Sequence, residues 1–293
     1  MNRTIPLALL GLALSAAACG SLGDPHARGK KALEQGDYGT AIEAYTKAID
    51  GGGDYLVEAY TNRGIANEAR GDYDAAIADY GRALELAPDD ATRAEVFNNR
   101  GVAYLGLRKS TEALADFEQA VELSPDYAEA YANRGRAKVD REEWDSAIED
   151  FDRALELDPS LAQAYGNRAL ARESLGEDEK AIRDYSEAIR LSHDAQAYFN
   201  RGMLRYTLGC FDLAYDDFTQ IVERLPDDEY LYYMAKSQQE FLEGRPKDAD
   251  SCMGIESEGA YDAGEAEGDG ADAEGASPDA SDADPTAGAT DEG

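Results

Sequence analysis

Small and aromatic residues recur along residues 22–228 with a period close to 34 residues. The clearest unit, residues 128–161, carries small residues at Gly135, Ala147 and Ala154 and aromatic residues at Tyr131 and Phe151. Small side chains allow two helices to approach closely, where larger ones would clash. The pattern therefore predicts repeated pairs of packed helices, which bury their apolar faces only by stacking on neighbouring pairs.

The unit resembles the tetratricopeptide repeat (TPR), a helix–turn–helix of 34 residues. Numbered from 1 to 34, the family's pattern has aromatic residues at positions 4 and 24, small residues at 8, 20 and 27, and proline at 32, here Pro159. Unit one lacks the first aromatic residue and the proline, His193 replaces the proline of unit five, and Ile221 replaces the last alanine of unit six. Six units fit the frame, at about residues 22–55, 57–90, 94–127, 128–161, 162–194 and 195–228.

The resemblance implies an all-α solenoid of six stacked TPR units. Four glycines are expected in the bend between the two helices of a unit, where a permissive backbone is useful: Gly36, Gly71, Gly176 and Gly209. Residues 229–243 are expected to form the polar C-terminal capping helix that such a stack needs. The segment that follows this helix, up to residue 253, is expected to be at most a degenerate half-repeat.

An asparagine stands at position 6 of units two to six. In TPR stacks the first helix of each unit lines a concave groove, so the row is expected to bind a peptide there: Asn62, Asn99, Asn133, Asn167 and Asn200. An amide both donates and accepts hydrogen bonds, so such a row can bind an extended backbone with little regard to its sequence. In the other interpretation, these asparagines hydrogen-bond to neighbouring repeats.

Position 7 is unusual, because arginine replaces the leucine that the family prefers, at Arg28, Arg63, Arg100, Arg134, Arg168 and Arg201. Position 23 is Ala44 in unit one and aspartate in the other five, at Asp79, Asp116, Asp150, Asp184 and Asp217. The recurrence of both residue types predicts a ladder of bidentate Arg–Asp pairs buried between helices, within or between repeats. In the rival interpretation the arginines face the groove and bind an acidic ligand.

Unit six adds an apolar group to the expected groove, formed by Phe199, Met203 and Tyr206 at positions 5, 9 and 12. These side chains either accept a hydrophobic residue of a ligand or pack beneath the capping helix. The clamp with which co-chaperone TPRs bind a C-terminal carboxylate is absent, because position 5 is His26, Thr61, Asn98, Ala132, Gly166 and Phe199.

Residues 1–18 carry a positive charge near their start, at Arg3, and continue from Ile5 to Ala18 as a run of apolar and small residues typical of a signal peptide, too short to span a membrane comfortably. Cys19 follows three alanines and resembles the lipidation site of a bacterial lipoprotein, while Gly20 resembles outer-membrane sorting if the host is Gram-negative. These features predict export and a lipid anchor, of the palmitate kind, at Cys19. The alanines also fit an ordinary signal-peptidase site, which would give a soluble periplasmic or secreted protein.

The composition restricts the class of partner that the chain is expected to bind. The chain has 28 Lys and Arg residues against 61 Asp and Glu, a formal net charge of −33, which argues against a nucleic-acid partner. Residues 254–293 contain 13 of these acids, no Lys or Arg and one aromatic residue, so this tail is predicted to be disordered. Two histidines argue against a His-based metal site, and no cofactor is expected.

Three cysteines are too few for a disulfide framework, although an exported protein permits one disulfide between Cys210 and Cys252. The chain contains no Gly-rich phosphate loop and no HExxH, G-x-S-x-G or CxxC motif. The sequence therefore predicts a protein that is not an enzyme.

These features predict a scaffold or adaptor of the bacterial cell envelope. It would bind a protein or an extended peptide segment in its groove and meet the membrane only through the lipid on Cys19. Outer-membrane TPR lipoproteins of two kinds are precedents: adaptors of the NlpI type, which bring peptidases and cell-wall enzymes together, and pilotins, which help a secretin to assemble. A structural spacer and a hydrolase of unrecognised type are the alternatives.

Overall fold

The computed structural model describes residues 23–243, which form thirteen α-helices and contain no strand. The predicted leader with Cys19, the half-repeat and the acidic tail lie outside these residues. The helices are α1 (Pro25–Glu34), α2 (Tyr38–Gly51), α3 (Leu56–Ala69), α4 (Tyr73–Leu86), α5 (Asp90–Gly106), α6 (Ser110–Leu123), α7 (Ala128–Val139), α8 (Trp144–Leu157), α9 (Ala162–Ser174), α10 (Asp178–Ser192), α11 (Ala195–Thr207), α12 (Phe211–Arg224) and α13 (Tyr230–Leu242).

The first twelve helices form six consecutive pairs, which correspond to the six predicted units, and α13 follows at the predicted place of the capping helix. Each helix packs most extensively on its neighbours in chain order. Odd-numbered helices also contact one another along much of the stack, as in α1–α3, α3–α5, α5–α7, α7–α9 and α11–α13. Within residues 23–243, no two even-numbered helices pack together to that extent. The odd-numbered helices therefore share the inner side of an all-α solenoid.

Local sequence explains where several helices begin and turn. Aspartates cap helix starts: Asp37 accepts a hydrogen bond from the Thr40 amide at 3.0 Å, and Asp89 accepts one from the Thr92 amide at 2.8 Å. The predicted bend glycines have positive φ, between 71° and 83°. In repeats three and four the same place in the bend is taken by Arg108 and Glu142, each with φ 61°. These two residues adopt a conformation that L side chains disfavour.

Each pair of helices is held together by an aromatic ring against a small residue. The rings at position 24 are fully buried, at Tyr45, Tyr80, Phe117, Phe151, Tyr185 and Phe218. A Cβ atom on Gly101 would lie 2.6 Å from Cε1 of Phe117, and a Cβ atom on the position-8 glycine of four other repeats would lie 2.6–2.9 Å from its own ring. The small residue is therefore required by the close approach of the ring, as the sequence pattern predicted.

Helix α13 covers the end of the stack with its buried residues Ala235 and Leu242, which join the core cluster around Ile221 and Phe218. Its outer face is less polar than expected for a cap, because Tyr230, Tyr233 and Phe241 are 77%, 60% and 51% exposed. Within the described chain no further helix follows to cover these rings.

Candidate functional site

Five bidentate pairs connect the two helices of repeats two to six. In each pair, Nε and Nη2 of the arginine donate to the two carboxylate oxygens of an aspartate sixteen residues later, at 2.5–3.1 Å. The aspartate side chains are only 3–7% exposed. These pairs form the Arg–Asp ladder: Arg63–Asp79, Arg100–Asp116, Arg134–Asp150, Arg168–Asp184 and Arg201–Asp217. The predicted buried ladder is confirmed, and the rival groove-facing arrangement of these arginines is wrong.

The third nitrogen, Nη1, joins repeats to one another. It donates to position 25 of the preceding repeat in three cases, as Arg63 to Thr46 Oγ1 at 3.0 Å, Arg168 to Asp152 Oδ1 at 2.6 Å and Arg201 to Ser186 Oγ at 2.7 Å. Repeat two has Gly81 at this position and offers Arg100 no side chain. The capping helix continues the series, because Nε2 of Gln239 donates to Oγ1 of Thr219 at 2.7 Å. The ladder thus acts both within repeats and between them.

The aromatic residue at position 4 lies beside each guanidinium group. The distance from the guanidinium carbon to the ring centroid is 5.3–5.7 Å in all five repeats, a range in which cation–π attraction contributes. The rings are Tyr60, Phe97, Tyr131, Tyr165 and Tyr198. The ladder arginine is therefore held on one side by an aromatic ring and at its edge by a carboxylate.

A second cation, one helical turn after the ladder arginine, joins the ladder in repeats four to six. Position 11 supplies Lys138 to Asp150 at 2.7 Å, Arg172 to Asp184 at 2.8 Å and Arg205 to Asp217 at 2.9 Å. In repeat two the neutral amide of Asn67 donates to Asp79 at 3.1 Å, and in repeat three the ring of Tyr104 lies 5.9 Å from the guanidinium of Arg100. The sequence prediction missed this position, although the spacing of four residues on one helix was the available signal.

Internal hydrogen bonds favour the charged form of three ladder arginines. Hydrogen bonding to Asp79 raises the pKa of Arg63 above its ordinary value despite burial, and bonds to Asp116 and Asp150 act in the same way on Arg100 and Arg134. Since these donors already bond to carboxylates, the ladder arginines are structural groups of the solenoid.

Two glutamates at position 12 form a further internal motif that the sequence prediction missed. The phenol of Tyr80 donates to Glu68 Oε2 at 3.1 Å, and that of Tyr185 donates to Glu173 Oε2 at 2.8 Å. Burial raises the pKa of Glu68 to about 7, although the Tyr80 bond and the nearby Arg136 lower it. Burial also raises the pKa of Glu173. The phenol oxygen of a position-24 tyrosine was the signal for this pairing, because a buried hydroxyl needs a partner.

The asparagine row lies on the odd-numbered helices α3, α5, α7, α9 and α11. Asn99 is buried, at 6% exposure, and the other four are partly exposed. Nδ2 of Asn133 donates to Oδ1 of Asn98 in the preceding repeat at 2.9 Å, which is the kind of bond that the alternative interpretation expected. Contact between this row and a peptide stays a prediction.

The apolar group of repeat six is partly buried. Phe199 lies 5.8 Å from the ring of Phe218, and Tyr206 lies 6.1 Å from the ring of Phe241 on the capping helix, so part of the group packs beneath that helix. Met203 packs on the same core cluster. Leu170, at position 9 of repeat five, is 38% exposed and adds apolar surface on the neighbouring odd-numbered helix. Peptide contact at Phe199, Met203 and Tyr206 also stays a prediction.

Residues 23–243 show neither a metal site nor a membrane-spanning helix. They contain no group of three or more His, Cys, Asp or Glu side chains arranged to hold a metal ion. None of the helices described here is long and apolar enough to cross a membrane.

The family comparison agrees with the repeat frame. Models described as tetratricopeptide repeats match residues 55–126, 98–161 and 133–192. No curated protein matches the chain significantly in sequence.

Solved structures show the same fold. TTC0263, a thermophilic TPR protein in Thermus thermophilus, is 23% identical with a TM-score of 0.55, over 62% of this chain and 98% of that one. A tetratricopeptide repeat protein from Parabacteroides merdae ATCC 43184 is 21% identical with a TM-score of 0.59, over 81% and 93%. The APC/C hetero-tetramer Cut9–Hcn1 is 18% identical with a TM-score of 0.65, over 74% of this chain and 42% of that one. At these identities the likeness concerns the fold.

Proposed function

Since the chain carries tetratricopeptide repeats stacked in an all-α solenoid, we propose that it is a non-enzymatic scaffold of the bacterial cell envelope that binds a segment of a partner protein along its inner side. TPR proteins generally mediate protein–protein interactions. One observation supports this surface most: the inner helices carry partly exposed amides, and on α9 the exposed apolar side chain of Leu170 lies near them in the chain, while the ladder arginines bond to buried aspartates.

The proposed contact surface is richest in repeats five and six. Asn167 and Asn200 are partly exposed there, Leu170 is 38% exposed, and Phe199 and Met203 keep part of their surface. An extended segment could bond its backbone to the amides and place an apolar side chain against Leu170 and Phe199. Each such hydrogen bond contributes only about 0.5–1.5 kcal/mol, so several repeats must act together.

The experiment is position-specific photo-crosslinking in cells. A photoreactive amino acid at Asn167, on α9, is expected to give one crosslinked partner, and mass spectrometry is expected to find one segment of it attached. The matched control carries the same amino acid at Glu122, an exposed residue of the even-numbered helix α6. The proposal is wrong if Glu122 captures the partner and Asn167 does not.

Envelope location is a separate part of the proposal, and it is supported by the leader and Cys19. Metabolic labelling with a palmitate analogue is expected to mark the wild-type chain, and Cys19→Ser is expected to abolish the label. An unlabelled, exported wild-type chain would favour the soluble periplasmic or secreted alternative. No contact within residues 23–243 favours the pilotin role over the adaptor role.

A further inference from the structure

Helix α1 differs in charge from the rest of the chain. The whole chain has 28 Lys and Arg residues against 61 Asp and Glu. Helix α1, in contrast, carries one acid, Glu34, and three cations: Arg28, Lys30 and Lys31. All four of these side chains are exposed, while the buried side of the helix is formed by small residues. An exposed cationic helix therefore belongs to an otherwise acidic solenoid.

The three cations of α1 take no part in the salt bridges of the solenoid. The salt bridges within residues 23–243 involve none of them. Arg28 stands at the ladder position of repeat one, but the residue sixteen positions later is Ala44, where repeats two to six have the aspartate. The charges of α1 can therefore act on a surface outside the solenoid.

Helix α1 is also the first helix of the described stack. It packs extensively on α2 and less on α3, so no helix of the described chain covers the face that is turned away from these two. The flanking acids Asp24 and Asp37 lie at the two ends of α1, where they accept hydrogen bonds from the amides of His26 and Thr40. The Debye length is about 8 Å at physiological ionic strength, so the acids of distant repeats have little effect at this face.

The length of chain before α1 indicates which surface lies nearest to it. Pro25, the first residue of α1, follows Cys19 by six residues, and six residues span at most about 20 Å. A lipid on Cys19 would therefore hold α1 close to the headgroups of a membrane. Anionic headgroups attract Lys and Arg side chains, and this attraction adds to the membrane affinity of a lipid chain.

We propose that Arg28, Lys30 and Lys31 bind anionic lipid headgroups, so that α1 lies against the membrane and the solenoid extends away from it. This inference rests on the proposed lipid at Cys19. The acidic repeats that follow favour the same orientation, because an anionic surface repels them. Repeats five and six, where the proposed contact surface for a partner is richest, then lie at the end of the stack that is far from the lipid.

Vesicle partition tests the proposal with the full-length chain purified from its native host. Vesicles of phosphatidylcholine alone are compared with vesicles that also contain phosphatidylglycerol, at about 30% of the lipid. In about 0.1 M salt the anionic lipid should raise the partition coefficient about tenfold or more, and about 0.5 M salt should remove the increase. Equal partition into the two kinds of vesicle would overturn the proposal, and it is the result expected if an acidic protein segment covers α1 instead.

Charge variants assign the effect to α1. Lys30→Gln/Lys31→Gln should lose nearly all of the increase, because the helix then carries one cation and one acid. The matched control is Arg108→Gln/Lys109→Gln, which removes two adjacent exposed cations from the bend of repeat three and should bind like the wild type. Both double variants should keep the wild-type Tm, since all four side chains are exposed. Equal partition of the two double variants into anionic vesicles would refute a role for α1.

The outcome can be separated from that of the lipid anchor. An acylated Cys19, with equal partition into both kinds of vesicle, would refute the binding of headgroups by α1 alone. Salt-sensitive binding to anionic vesicles by a chain without a lipid would support the role of α1 and refute the anchor. A chain that carries no lipid and binds neither kind of vesicle would refute both.

Discussion

The Arg–Asp ladder differs between the two halves of the solenoid. In repeats two and three the buried aspartate faces one arginine, and position 11 is the neutral Asn67 or Tyr104. In repeats four to six position 11 is a second cation, and in repeat five Asp152 adds a further carboxylate from the preceding repeat. The Arg–Asp pair is therefore the same in all five repeats, while the number of charged side chains around it varies.

The difference shows what the ladder requires. A buried carboxylate is costly unless its oxygens accept hydrogen bonds, and in each of repeats two to six two nitrogens of the arginine meet that need. The residue at position 11 is neutral in repeats two and three and is a second cation in repeats four to six. The additional cation raises the dependence of that repeat on its aspartate, because two cations would lose their partner together.

The largest expected effect is in repeat five. Asp184→Ala should lower the free energy of unfolding by about 3–5 kcal/mol, because it leaves Arg168 and Arg172 without their buried partner. Urea denaturation gives the measurement. The control is Asp152→Ala, whose side chain is 47% exposed and bonds to the same Arg168; its cost should stay below about 1 kcal/mol. Similar losses in the two variants would contradict a buried ladder.

Double variants distinguish the two kinds of repeat. Asp116→Ala should lower the unfolding free energy by about 3 kcal/mol, the low end of the range for breaking a buried ion pair. Adding Arg100→Met should restore most of the loss, because no second cation remains there. Adding Arg168→Met to Asp184→Ala should restore less than half, because Arg172 remains. Double-mutant cycles in urea measure both recoveries. Equal recovery in both repeats would show that position 11 contributes nothing.

The position-12 glutamates make stability depend on pH. The pKa of Glu68 is about 7 in the folded chain and its ordinary value is 4.5. Because the folded pKa is raised, the contribution is fully present below pH 4.5 and is lost as the pH rises towards 7. Glu68→Gln should remove this loss, which is roughly 1–3 kcal/mol, and Glu173→Gln should act in the same direction.

Urea denaturation between pH 4 and pH 8 measures the effect of the glutamate. Glu112→Gln, at an exposed position of α6, is the control and should leave the pH dependence unchanged. A Glu68→Gln variant that loses stability with rising pH as steeply as the wild type would contradict the assignment.

The smallest expected effect concerns the bends. Glu142→Gly should raise the unfolding free energy by about 0.5–1 kcal/mol, since φ is 61° at this residue and glycine adopts that angle without strain. Gly176→Ala, at the equivalent place in repeat five with φ 74°, should lower it by about 1 kcal/mol. Thermal unfolding should show a higher Tm for Glu142→Gly and a lower Tm for Gly176→Ala. A change of Tm in the same direction in both variants would contradict the explanation.

Much of the fold could be predicted because its determinants recur once per repeat. Six copies of one frame placed the helix pairs, the bend glycines and the buried position-24 rings. The Arg–Asp pairs were also predictable, since two residue types that recur together sixteen residues apart indicate a contact even without coordinates. The repetition made these contacts predictable, because nearly every unit packs the same residue types at the same positions.

The parts that were missed vary from repeat to repeat. The second cation at Lys138 or Arg172 and the carboxylate of Asp152 do not recur throughout, so no periodic signal distinguished them from ordinary surface charges. The partly buried state of Phe199 and Tyr206 depended on where α13 packs. For the candidate groove, the sequence indicated the asparagine row but not that Asn99 is buried or that Asn133 bonds to Asn98.

The sequence by itself determined the class of the protein, the order of its helices and the composition of its ladder. These follow from local spacing, because residues three, four or sixteen apart in a helix pair have fixed relative positions. Only the tertiary structure decided which ladder arginines bond to the preceding repeat and which glutamate is desolvated enough to raise its pKa. Those properties depend on how one repeat stacks on the next. The distances between side chains of neighbouring repeats, and the burial of those side chains, exist only when the solenoid is assembled.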